Sequence, residues 1–152
     1  DRCETCHRAQ SAFYRGQVKA ALAPAEPNVM AEVVPCTGCH DFSAPSPRQA
    51  VGPKCVACHE PPYVALLREW TAGFDQDAAR AGTALKRAEG ALAAARQAGR
   101  ATTEAEAALK DAQTAVGLVR RARGVHNPGM ADALLQRARR TAEDTLAQLG
   151  HR

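Results

Sequence analysis

The stretch GVHNPGMADALL, Gly124 to Leu135, is where the architecture of this chain turns. Gly124 follows the basic run Arg120 to Arg123 and reads as the end of one helix, where glycine tolerates a left-handed backbone. Asn127 reads as the N-cap of the next helix, with Pro128 at its first position, where the missing amide hydrogen costs nothing. His126 is pinned between these two signals. A corner this tightly punctuated implies two helices packed antiparallel.

Working outward, the rest of the chain from Tyr63 onward has helical periodicity. Leu67, Trp70, Phe74, Ala78, Ala81, Leu85, Ala88, Leu92 and Ala95 recur at spacings of three and four. Gly73 and Gly82 are the places where this helix can kink. Gly99 stops it, and Thr103 with Glu106 reads as a capping box for a second helix. Leu109, Ala112, Val116 and Val119 form that helix's stripe. A third helix spans Pro128 to Leu149, with Leu135, Ala138, Ala142, Leu146 and Leu149 aligned and Gly150 ending it. Alanine-rich antiparallel packing follows.

The front of the chain is different. Eight of the nine prolines lie between Pro24 and Pro62, and all six cysteines precede His59. This part should be mostly loop with short helical turns, one of them around Ser11 to Ala23. Isoleucine is absent and aromatics are 4%, so bulky apolar material for an ordinary core is scarce. No apolar run approaches the ~18 residues of a membrane span. The net charge of +4 is mild and lacks the dense, aromatic-interleaved basic stripe of a nucleic-acid binder. The chain opens at Asp1, two residues before its first cysteine, and reads as a mature or trimmed product.

The cysteines carry the chemistry. The chain reads CETCH at Cys3 to His7, CTGCH at Cys36 to His40 and CVACH at Cys55 to His59. Three disulfides are one reading, although close CxxC pairs favour redox or metal chemistry. A zinc site of Cys36, Cys39, Cys55 and Cys58 is another, since the spacing between the pairs suits a zinc ribbon. The third is covalent haem at each motif, with both thiols as thioethers and the adjacent histidine on iron. Neither of the first two requires a histidine after every CxxC. With five histidines in 152 positions, three such coincidences arise by chance on the order of a few in 10^5. Haem also answers the compositional problem, because three large apolar macrocycles can form the core of the front part.

These motifs resemble those of the multihaem c-type cytochromes. A weaker resemblance covers the rest: His126-Asn127-Pro128, followed by a helix with Leu134-Leu135, is similar to the C-terminal helical segment of pentahaem nitrite reductases and their relatives. That family's catalytic haem is attached through CxxCK. Only CxxCH occurs here, so the resemblance does not bring nitrite reduction with it. It does imply attachment of haem outside the cytoplasmic membrane of a bacterium, hence a periplasmic or extracellular protein. The fold expectation is mainly α. A loop-rich trihaem head spans residues 1–62, and residues 63–152 form a helical hairpin and a third helix closing over the haems.

Function depends on the sixth iron position, because two axial side chains leave iron passing electrons and an open position permits substrate chemistry. His7, His40 and His59 are the expected proximal ligands, and His126 the expected distal ligand of one haem, the first or second if the first long helix is straight. His151 should lie too far away to serve within the same chain, while Met30 and Met130 are softer candidates that more simply read as packing. Three closed irons need more strong ligands than these. Either one site is His/Met or open, or a neighbouring chain supplies a ligand. Phe13, Tyr14, Phe42, Tyr63 and Trp70 read as haem walls.

The resulting expectation is a bis-histidine electron-transfer protein relaying electrons between redox partners through three haem c groups. The alternative is a small reductase or peroxidase with one open iron. The unmatched length of the first long helix further suggests a homo-oligomer. Intact mass before and after acid-acetone extraction checks the attachment, and three haems should be retained through thioether bonds.

Overall fold

The computed structural model describes residues 3–19 and 26–150. The expected turn from Ser11 to Ala23 therefore falls partly outside the described residues, and His151 does so entirely. Among the described residues the chain is helical, with no strand. Four short helices come first: α1 (Cys3–Cys6), α2 (Arg8–Tyr14), α3 (Cys36–Cys39) and α4 (Val51–Cys55). Three long ones follow: α5 (Pro62–Gln97), α6 (Thr103–Ala122) and α7 (Pro128–Gly150), all packed on one another. No helix among these is long and apolar enough to cross a membrane.

The α5 helix is continuous through Gly73 and Gly82. At 36 residues it is about 54 Å long, against about 30 Å for α6 and about 35 Å for α7. Its N-terminal portion therefore overhangs the other two and runs into the cysteine-bearing head. Gly99, at φ 72°, supplies the left-handed residue that ends α5. At that far end the Arg100 guanidinium donates to the Leu149 carbonyl, which places the end of α7 beside the α5–α6 turn.

Ala78, Ala81, Leu85 and Ala88 of α5 meet Leu109, Ala112, Val116 and Val119 of α6 and Leu134, Leu135, Ala138 and Ala142 of α7 in one buried cluster. With so many alanines at these positions the helix backbones can approach closely, and packing contact replaces the side-chain bulk the composition lacks. Among the described residues of the head, Phe13 is the one hydrophobic residue fully buried, at 0% exposure. It belongs to the helical core and is not a free wall beside a motif.

Two boundaries differ from the sequence reading. The N-cap of α6 is Thr102, one residue earlier than expected. Its hydroxyl donates to the Glu106 carboxylate (2.7 Å) and the Glu106 amide bonds the Thr102 carbonyl (2.9 Å), so no reciprocal box forms through Thr103. Gly150 is the last residue of α7 and the last described residue, one beyond the expected Leu149.

The end of α6 is the more instructive difference. The positive φ falls on Arg123 (φ 62°, ψ 111°), a non-glycine residue, and not on Gly124. Gly124 opens a single 3-10 turn, Gly124–His126, and is needed there for space. A Cβ on it would lie 2.6 Å from Cγ and Cδ2 of Phe74. The neighbourhoods of Gly73 and Gly90 are open by comparison. Urea unfolding should separate the three: Gly73→Ala and Gly90→Ala each stabilise by up to about 1 kcal/mol, whereas Gly124→Ala destabilises by about 1–3 kcal/mol.

Candidate haem-binding site

The three motifs share one local geometry. In each, the first cysteine's carbonyl accepts the amide of the histidine four residues on: His7 to Cys3 (2.8 Å), His40 to Cys36 (2.9 Å) and His59 to Cys55 (2.8 Å). One helical turn thus sets both sulfurs and the following imidazole in a fixed relation. All six thiols are unpaired. A four-thiol zinc site needs its sulfurs to converge, and no group of three or more His, Cys, Asp or Glu side chains converges among the described residues.

The motifs lie close together. An Arg15–Glu4 ion pair links α2 to α1, and a Lys54–Asp41 pair (3.4 Å) links the third motif to the second. Hydrogen bonds from Ser43, and then Lys54, hold the Asp41 carboxyl below the usual carboxylate range. Burial pushes the Cys39 thiol up, with Cys55, Cys36 and Cys58 adding to the shift. Burial also pushes the Tyr14 phenol up to about 12, with Cys39 and Cys36 adding and Arg15 opposing. That phenol donates to the Val34 carbonyl (3.0 Å), two residues before Cys36.

The corner brings His126 to the second motif. Its ring lies 6.2 Å from that of His40, centroid to centroid, with the planes 27° apart. Nδ1 of His126 lies 2.7 Å from the Ala122 carbonyl and 3.2 Å from that of Arg123. A carbonyl can only accept, so Nδ1 carries a proton, and in the neutral ring the lone pair falls on Nε2. Burial lowers the His40 pKa, with His126, His7 and Arg48 adding, so the His40 ring is held towards its neutral form.

The other sequence-predicted residues are placed as follows. His59 stacks on Tyr63 at 4.3 Å, and Phe42 sits 6.0 Å from His40. Among the described residues no second histidine ring packs against His7 or His59. Met130 is buried in the helical core. Met30 is partly buried in the loop before the second motif, its amide bonded to Asn28.

The donor set fits haem. His40 and His126, with ring centres 6.2 Å apart, are near enough for one iron to be held between them, and the Nδ1 contact of His126 is of the kind that would orient a ligating histidine. The head also exposes apolar groups suited to a macrocycle: among the described residues Val29, Val33, Phe42, Val56 and Tyr63 are the exposed large hydrophobics, and all lie in or next to it.

Two asparagines that the sequence reading did not single out as binding elements complete the site. Asn127, buried, caps α7 by accepting the Met130 amide (3.1 Å) and donates to the carbonyls of Phe13 (3.1 Å) and Glu26 (2.7 Å). Asn28, also buried, donates to the His126 carbonyl (3.1 Å). The cap was legible from Asn-Pro; partners more than a hundred residues away in sequence were not. No family model, curated protein or solved structure matches this chain. Asn127→Ala removes a cap and leaves two carbonyls without their donor, and should lower stability by about 2–4 kcal/mol in urea unfolding of the holoprotein.

Proposed function

We propose that this chain is an electron-transfer protein of the multihaem cytochrome c kind, holding three covalent haems in its first 62 residues and passing electrons between redox partners outside the cytoplasm. The approach of His126 to His40, with Nδ1 tied to a carbonyl and Nε2 free, is the observation that carries this reading. When bound, haem supplies reversible one-electron chemistry at iron, with a potential set by its axial ligands and surroundings.

The chain's own residues have distinct parts. Cys3 and Cys6, Cys36 and Cys39, and Cys55 and Cys58 supply the thioether sulfurs, and His7, His40 and His59 the proximal nitrogens. His126 would supply a second imidazole to the second site, leaving that haem to pass electrons rather than bind substrate. The carbonyls of Ala122 and Arg123 keep its proton on Nδ1 and strengthen Nε2 as a donor. The ion pair between Lys54 and Asp41 keeps the second and third motifs together, as a relay requires. The overhang of α5 beyond α6 and α7 is the surface on which a second copy of this chain would pack.

His126→Ala tests the reading. In the ferric variant one haem of three should become high-spin, and on reduction that haem should bind carbon monoxide. Spectra and potentials identical to the parent protein would overturn the assignment of His126.

A further inference from the structure

The head buries little, yet Asn28 is only 8% exposed within it. Each of its four polar groups has a partner. The backbone amide donates to the Tyr14 carbonyl (2.8 Å), and the backbone carbonyl accepts the Ala31 amide (2.8 Å). The side-chain carbonyl accepts the Met30 amide (2.9 Å), and the side-chain NH2 donates to the His126 carbonyl (3.1 Å). One residue thus joins the end of α2, the loop that follows it and the corner after α6.

The path from there to the second motif is short and tied throughout. The amides of Val33 and Val34 bond the Met30 carbonyl, and the Tyr14 hydroxyl holds the Val34 carbonyl. Pro35 then precedes α3, whose first carbonyl holds the amide of His40. A run of local hydrogen bonds therefore leads from the backbone of His126 to that of His40, with the Asn28 carboxamide as the link across the gap.

We propose that Asn28 is the positioning residue for the axial pair: its carboxamide sets the separation of His126 from His40, and so governs how firmly His126 ligates the second haem. This rests on the reading of His40 and His126 as that haem's two ligands. Asn127 does a different job: its donors tie the same corner to Phe13 and to Glu26 earlier in that loop, and neither bond is made to His126 itself. Axial ligands are sensitive to displacements of about 0.5 Å, and a lost outer-shell contact typically weakens ligation about 10–100-fold.

The test compares holoprotein variants Asn28→Asp, Asn28→Ala and His126→Ala with the parent. Aspartate keeps the acceptor for the Met30 amide and loses the donor to His126. Both Asn28 variants should retain three haems and raise the carbon monoxide affinity of one reduced haem about 10–100-fold. The potential of that same haem should rise, because a looser imidazole stabilises ferric iron less. If His126→Ala opens a haem while neither Asn28 variant changes affinity or potential, the ligand reading stands and the positioning role fails. If His126→Ala changes nothing, the ligand reading itself has failed. Loss of haem or of fold in Asn28→Asp also overturns the proposal, since a positioning residue leaves the attachment sites and the bundle intact.

Discussion

The buried side chain of Asn127 is the contact on which the rest of this structure depends. It starts α7 by accepting the Met130 amide, and its two N–H groups reach back to Phe13 and Glu26. A buried carboxamide left without partners would cost about 1–3 kcal/mol, so this one specifies a single arrangement of three distant segments. The side chain of Phe13, whose carbonyl it holds, packs in the helical core. The Asn127 contact adds to the bonds that Asn28 and Gln10 make to the far end of α6 and its corner, where the head's own apolar burial is slight.

The corner itself is held by opposed demands on neighbouring residues. Gly124 must stay small because Phe74 lies against it, and Arg123 takes the left-handed conformation in its place. A non-glycine residue there stores about 1–3 kcal/mol of strain. The α6 carbonyl at Ala122 and the strained residue's own carbonyl both reach the His126 ring. Close packing of glycine against an α5 ring and orientation of an imidazole are therefore parts of one local solution.

How much of this was legible in the sequence follows from the range of each interaction. The long helices were legible because periodic apolar positions and caps are local signals; α5 and α6 lie within about a residue of their expected bounds. Thr102 displaced Thr103 as a cap because two adjacent threonines offer the same chemistry and only packing chooses between them. Gly124 looked like a left-handed stop because sequence reveals that a glycine is needed and not why. His126 stood out through its flanking punctuation, but its approach to His40 did not. That depends on Asn28, whose bond to the His126 carbonyl spans 98 positions and whose setting in a proline-rich loop has no periodic signature.

The division of labour between the two parts of the chain has a physical reason on the proposed reading. A bundle whose core is largely alanine and leucine can be rigid without being bulky, and it can fix an imidazole at one end. The head buries one large hydrophobic residue completely and leaves Val29 at 93% and Val33 at 78% exposure. Such a segment has too little apolar area of its own to offset the entropy of ordering a long loop. A large apolar group attached at two sulfurs would supply that missing area and shorten the free loop between attachment points. On that reading the attachment motifs would answer a folding problem as well as a redox one: the head would take its core from its cofactors, while Phe13, Asn127 and the approach of His126 to His40 join it to the bundle.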